Sequence, residues 1–132
     1  SQQIVLSMLN PAGVWLPGEF VGPTAGSSSG VLVGVGFARI PKSGTLTNFK
    51  LTQTSTLGTT ITDLQIYIAP NGIPSLIFYS GVSLGVLAGD WISTDNISTI
   101  AVNEDDIISI YNNEFFGWSP GSMTITADLL IN

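Results

Sequence analysis

The stretch 122–131, SMTITADLLI, decides the fold class because its apolar and polar residues alternate. Every second residue from Met123 to Ile131 is apolar, and the residues between them are polar from Ser122 to Asp128. Successive side chains of a strand point to opposite faces, so one face of this stretch is apolar and the other is polar. The pattern predicts a half-buried antiparallel strand.

The rest of the chain repeats this kind of signal. Leu64, Ile66 and Ile68 alternate with polar neighbours and run into Pro70-Asn71-Gly72, which is a tight-turn sequence. Further predicted strands are 4–9, 31–39, 46–54, 76–79, 82–87, 97–102 and 107–112. The apolar phase changes between Leu46 and Phe49, which predicts a bulge or an edge strand there.

These segments predict an all-β fold. Gly, Pro and Asn interrupt runs rich in Val, Ile, Thr and aromatic residues every eight to twelve positions, and no long segment has helical spacing. We expect one domain, an antiparallel β-sandwich of jelly-roll type with about eight strands and an extended N-terminal arm. An up-and-down barrel is the alternative.

Composition excludes several functions. The chain has no His and no Cys, which excludes a Ser-His-Asp triad, a Cys nucleophile, a disulfide and metal sites built on those ligands. Three scattered basic residues do not supply the charge that a nucleic-acid binder needs. We therefore expect no enzyme activity, no cofactor, no metal and no nucleic acid.

Membrane insertion is not expected either. The uncharged run Leu64 to Gly89 is long enough to span a bilayer, but Pro70, Gly72 and Pro74 interrupt it, so it predicts strands and turns. We also find no signal-peptide pattern, because Asn10 and Pro11 end the first apolar stretch.

The low charge suggests a covered surface. Only 9% of the residues are charged, with 9 acidic and 3 basic side chains and a net charge of −6. In soluble monomers, about a quarter to a third of the surface residues are charged. Identical copies or a partner covering part of the exterior would explain the shortfall.

The N-terminal segment has a composition of its own. Residues 1–30 are rich in Pro and Gly and are predicted as an arm, with residues 31–132 forming the sandwich domain. The arm also contains apolar residues that a solvated linker does not need, so we predict contact with a neighbouring subunit; the alternative is that the segment folds back on its own sandwich. Trp118 lies between Gly and Pro residues, and both an interface role and a core role remain open for it. The interface candidates are Val14, Trp15, Leu16, Phe20, Val21 and Trp118.

Two acidic groups invite a chemical interpretation. Glu104, Asp105 and Asp106 offer oxygen ligands for calcium, but they lie between two apolar strands, where a polar turn is expected. Their spacing matches no calcium loop, so we interpret them as a solvated turn. Asp90 and Asp95, near Trp91, are interpreted in the same way.

A resemblance adds to this interpretation. The segments 44–49, 64–72, 102–110 and 123–131 resemble the small trimeric jelly rolls of the tumour-necrosis-factor-like and complement-globular type found in phage fibres, phage capsid decorations and bacterial exosporium proteins. Residues 102–109, VNEDDIIS, follow the rhythm of the family's penultimate strands. The resemblance covers about two thirds of the chain and excludes its first 43 residues.

The resemblance implies a homotrimer without catalytic residues. We expect a virion structural protein on the capsid surface, a decoration (cement) protein that binds the major capsid protein across subunit joints. One alternative is a receptor-binding tip of a phage fibre, with Trp91 and Trp118 against cell-surface glycans. The other is a bacterial surface or spore-coat domain.

Overall fold

The protein is a β-sandwich in a computed structural model that describes residues 1–10, 13–23, 29–31, 37–55 and 58–132. Within these residues, ten strands form two antiparallel sheets. The strands are β1 (Gln2–Leu9), β2 (Phe20–Val21), β3 (Ala38–Arg39), β4 (Gly44–Gln53), β5 (Ile61–Ala69), β6 (Phe78–Val86), β7 (Ile92–Asp95), β8 (Ile100–Val102), β9 (Ile107–Asn112) and β10 (Met123–Ile131).

The pairing is nested along the chain. The first sheet has the order β1-β10-β4-β7, with β8 also paired to β4; the second has the order β2-β9-β5-β6, with β3 also paired to β9. The first strand thus pairs with the last, β2 and β3 pair with the second-last, and β5 pairs with β6 at the centre. Two sheets with this nesting form a jelly roll, as predicted.

The strongest sequence signals correspond to strands. In β10 from Met123 to Leu129, and in β5 at Leu64, Ile66 and Ile68, the alternate apolar residues are buried between the sheets. Ile131, at the end of β10, is exposed. The run Leu64 to Gly89 forms β5, two short 3-10 turns (Pro70–Gly72 and Pro74–Leu76) and β6, which confirms that it is built of strands and turns.

Several boundaries differ from the prediction. The segments 76–79 and 82–87 belong mainly to one strand, β6, which is bulged around Gly81 where φ is 89°. The predicted strand 97–102 shortens to β8 because residues 95–98 form a turn, while β2 and β7 were not predicted. Of the predicted strand 31–39, residues 32–36 lie outside the described residues, and so do residues 27 and 28 of the serine run.

The predicted bulge in β4 is confirmed. Thr126 pairs with Lys50 and Asp128 pairs with Thr47, so one residue of β10 faces two of β4. Asn48 is the residue that absorbs the shift, with φ 52°. The bulge turns both Leu46 and Phe49 toward the core, where each is at most 1% exposed.

Asn48 provides a test of this geometry. A β-branched residue strongly disfavours positive φ, so Asn48→Val is expected to lower the free energy of unfolding by about 1–3 kcal/mol. Asn48→Gly keeps the conformation and removes only the exposed bond to Asp128, so it should cost about 1 kcal/mol or less. Urea unfolding measures both, and a valine variant as stable as the parent would contradict the bulge.

Candidate interaction surfaces

The N-terminal segment closes one side of the sandwich. Trp15 is 0% exposed and Trp118 is 8% exposed, and their ring centroids lie 5.3 Å apart. The two residues also form two backbone hydrogen bonds with each other: Trp15 N donates to the Trp118 carbonyl oxygen at 2.9 Å, and Trp118 N donates to the Trp15 carbonyl oxygen at 3.3 Å. Gly117 permits this approach, because a Cβ there would lie 2.9 Å from the Trp15 carbonyl oxygen. The pair belongs to the core, as the fold-back alternative has it.

Both indole nitrogens have partners. Trp15 Nε1 donates to the Glu19 carbonyl at 2.8 Å, and Trp118 Nε1 donates to Gln53 Oε1 at 3.1 Å. A buried Trp needs such an acceptor. The two rings are therefore fixed by hydrogen bonds as well as by packing.

Phe20 and Val21 are also buried. The Val21 carbonyl accepts from Ser7 Oγ at 2.5 Å and from Ser109 Oγ at 3.0 Å, which ties β2 to both β1 and β9. Phe20 is 9% exposed and packs on the outer face of the second sheet. Strands from residues 1–30 thus lie in both sheets, β1 in the first and β2 in the second.

Val14 and Leu16 are the candidates with accessible side chains. They flank the buried Trp15 and are 50% and 51% exposed. The structure therefore separates the six interface candidates into three core residues, one residue (Phe20) buried on the outer face of the second sheet, and two exposed ones. Contact of the exposed pair with another molecule stays a prediction.

The second sheet carries an aromatic cluster on its outer face. Phe20, Tyr111, Tyr67 and Tyr79 come from four neighbouring strands, and successive ring centroids lie 4.8, 5.3 and 5.8 Å apart. We call these four residues the aromatic face. Burial raises the pKa of Tyr67 above 10.0, and nearby Tyr111, Tyr79 and Asp63 raise it further.

Polar groups adjoin the aromatic face. Tyr79 Oη and Ser83 Oγ lie 2.6 Å apart, and Ser83 Oγ donates to Asp63 Oδ1 at 3.1 Å. Asn113 Nδ2 donates to Asp63 Oδ2 at 2.6 Å. This chain of bonds fixes the side chains at the exposed end of the face, where Tyr79 is 38% exposed.

The outer face of the first sheet is different. It is rich in threonine and contains few charged residues. Across neighbouring strands, Thr126 pairs with Val5 and Lys50, and Asp128 pairs with Gln3 and Thr47. We call this the threonine face. Its threonines are Thr45, Thr47, Thr52, Thr94, Thr124 and Thr126.

The side opposite the N-terminal segment is open. β6 ends one sheet and β7 ends the other, and a depression of about 590 Å³ lies between them. Asp95 shapes its wall, because its carboxylate accepts bonds from Ser98 N at 2.9 Å, Ser98 Oγ at 2.7 Å and Ile97 N at 2.9 Å. Bonds from Ser98 and from the Ile97 amide lower the pKa of Asp95, so the carboxylate stays ionised.

The acidic turn is accounted for by its own contacts. Asp106 is 5% exposed. One of its carboxylate oxygens accepts a hydrogen bond from the backbone N–H of Asn71, at 3.2 Å, and the other accepts one from the backbone N–H of Asn103, at 2.8 Å. Asp105 pairs with Arg39 at 2.6 Å. Within the described ranges, no group of three or more acidic side chains is arranged to hold a metal ion.

Sequence reasoning missed the aromatic face. The alternation of Leu64, Ile66 and Ile68 puts Tyr67 on the other side of its strand, but it does not show that Tyr111 lies beside it. The face exists because the strand order sets β2, β9, β5 and β6 side by side. Local alternation does not encode that order.

Comparisons with protein-family models, curated proteins and solved structures found no match for this chain. Among the described residues, no helix is long and apolar enough to cross a membrane. The three surfaces are therefore interpreted from their own geometry.

Trp15 tests whether the N-terminal segment is part of the core. Trp15→Ala empties a buried site and is expected to lower the free energy of unfolding by about 3–5 kcal/mol. Leu16→Ala is the matched control at an exposed position, where a loss of about 1 kcal/mol or less is expected. Equal effects of the two changes in thermal and urea unfolding would contradict the buried position of Trp15.

Tyr67 predicts a stability change at high pH. Because its pKa is raised in the folded state, its contribution is fully present below pH 10.0 and is lost as the pH rises through the folded pKa. Tyr67→Phe removes this ionisation. The stability of the parent relative to the variant should therefore be constant below about pH 9 and fall as the pH rises above about 10 in urea unfolding. A difference independent of pH would show that Tyr67 ionises equally in both states.

Proposed function

We propose that the protein is a virion structural protein: a homotrimeric decoration (cement) protein that binds the major capsid protein on the surface of a phage head. Its role is to cover subunit joints, so that the area buried across each joint resists separation of the capsid subunits. This function needs contact surfaces and no catalytic group.

The observation that carries the proposal is the apolar exterior. At least sixteen large apolar or aromatic side chains of the described residues are exposed, whereas the whole chain has only twelve charged ones, 9 acidic and 3 basic. Copies of the chain or a partner that covered these side chains would remove their apolar surface from water, which favours association.

The two outer sheet faces offer separate contacts. The threonine face is a sheet surface with short side chains and suits close packing against another sheet. The aromatic face presents rings of low conformational entropy, which are favoured in protein interfaces. Two independent faces let one protomer contact its own copies and the capsid at the same time. The proposal that the copies form a trimer rests on the resemblance to trimeric jelly rolls.

The oligomer is the first test. Light scattering coupled to gel filtration should give three times the chain mass of 13.8 kDa at micromolar concentration. Thr126→Arg on the threonine face and Tyr79→Arg on the aromatic face each place a charge on one surface only, so the variant that becomes monomeric identifies the trimer contact. A parent protein that is a stable monomer would contradict the trimer.

Capsid binding is the second part of the same test. The trimer should co-sediment with phage heads assembled from the major capsid protein of the same genome. The arginine variant that is still trimeric should no longer co-sediment with the heads. Heads that never retain the parent protein would contradict the decoration role.

A receptor-binding fibre tip remains the second candidate. It loses Trp118 as an anchor, because that ring is buried. It keeps Trp91, which is 59% exposed beside the open side of the sandwich. A spore-coat or bacterial surface domain would use the same apolar exterior, and failure of head binding by an intact trimer would favour it.

A further inference from the structure

The open side of the sandwich forms a continuous groove. A second depression, of about 510 Å³, adjoins the one of about 590 Å³, and both are lined by Gly85, Ser93 and Thr94. We call the two depressions together the side groove. It runs along the edges of β6 and β7, where the two sheets separate.

Hydroxyl groups dominate the polar lining of the groove. They come from both edges and from residues 60–62 at the start of β5, and the lining also contains one amide and two carboxylates. The residues are Thr60, Thr62, Ser83, Ser93, Thr94, Ser98, Asn96, Asp90 and Asp95. Within this lining, Ser83 Oγ, Ser98 Oγ and the Asp95 carboxylate are bonded to other groups of the protein, and Thr62 Oγ1 is bonded to Glu114. The side chains of Ser93, Thr94, Asn96 and Asp90 therefore provide the donors and acceptors that suit a ligand rich in hydroxyls.

The charge of the groove restricts the ligand. Asp90 and Asp95 contribute negative charge, and no Lys or Arg belongs to the described lining. An anionic ligand would find no ion pair and would be repelled. The charge therefore disfavours an anionic ligand, and the hydroxyl and amide groups of the lining suit a neutral one.

Trp91 is an exposed aromatic residue next to the groove in sequence. It lies between Asp90 and Ile92, which both line the groove, and 59% of it is exposed. Its carbonyl accepts a bond from Gln53 N at 2.9 Å, which fixes its backbone against β4. An exposed Trp with a fixed backbone presents a large apolar surface at low entropic cost.

The shape of the edge argues against an added strand. β6 is bulged around Gly81, and its pairing with β5 shifts register again between Leu84 and Val86, where it borders the groove. A bulge of this kind hinders strand pairing at an edge. Recognition by side chains is therefore favoured over recognition by the backbone.

We propose that the side groove binds a neutral oligosaccharide. The apolar face of one sugar ring packs on the indole of Trp91, and the hydroxyls of neighbouring sugars bond to the side chains of Ser93, Thr94, Asn96 and Asp90. The site goes beyond the proposed structural role and requires neither a trimer nor a capsid.

Binding of defined sugars tests the site. The neutral probes are hexasaccharides of α-linked glucose, of β-linked glucose, of xylose and of N-acetylglucosamine, and oligogalacturonate is the anionic probe. Binding of each probe to the full chain is measured by titration calorimetry. We expect at least one neutral hexasaccharide to bind and oligogalacturonate to give no heat. Trp91→Ala should weaken the association constant about tenfold or more, and Trp91→Tyr should retain most of it.

Phe115→Ala is the matched control, since Phe115 is a fully exposed aromatic residue that does not line the groove. It should bind as the parent does, and unfolding midpoints of all variants verify that they fold. The proposal is overturned if no neutral probe binds at about 1 mM, if the anionic probe binds instead, or if Trp91→Ala and Phe115→Ala have the same effect. These outcomes are independent of oligomer mass and of head binding, so failure of one proposal does not imply failure of the other.

Discussion

The pairing of β10 with both β1 and β4 is the interaction on which the rest of the structure depends. β10 lies between these two strands in the first sheet, and the residues of its inner face from Met123 to Leu129 are at most 1% exposed. By holding the first strand next to the last, it also fixes the segment that carries Trp15 and β2. The core, the closed side and the aromatic face all follow from that placement.

Much of the fold was predictable because it is encoded locally. A period of two marks β5 and β10, and the phase change between Leu46 and Phe49 marks the bulge at Asn48. These signals depend on which side of one strand is buried. β2 and β7 were missed because strands of two and four residues are too short to show alternation.

The surfaces were less predictable because they depend on contacts far apart in sequence. Trp15 and Trp118 are separated by about a hundred residues, and their flanking Gly and Pro residues suggest loops whether the rings are buried or exposed. The four rings of the aromatic face come together only through the strand order. The side groove likewise exists because β6 and β7 end different sheets on the same side of the sandwich.

The shortage of charge links these surfaces to function. A chain with so few ionised groups leaves threonine, aromatic and aliphatic side chains to form its exterior, and each outer surface has a distinct chemistry. The threonine and aromatic faces suit protein contacts, and the side groove suits a hydroxyl-rich ligand. The two proposals therefore use different surfaces, which meet at Thr94.

Hydrogen exchange of the β1 amides that bond to β10 tests the central claim most directly. If the first strand is an integral part of the sandwich, these amides exchange only through global unfolding and share the protection of the β4 amides that bond to β10. Exchange of β1 that is orders of magnitude faster, with β4 still protected, would show a detachable arm and would contradict the account.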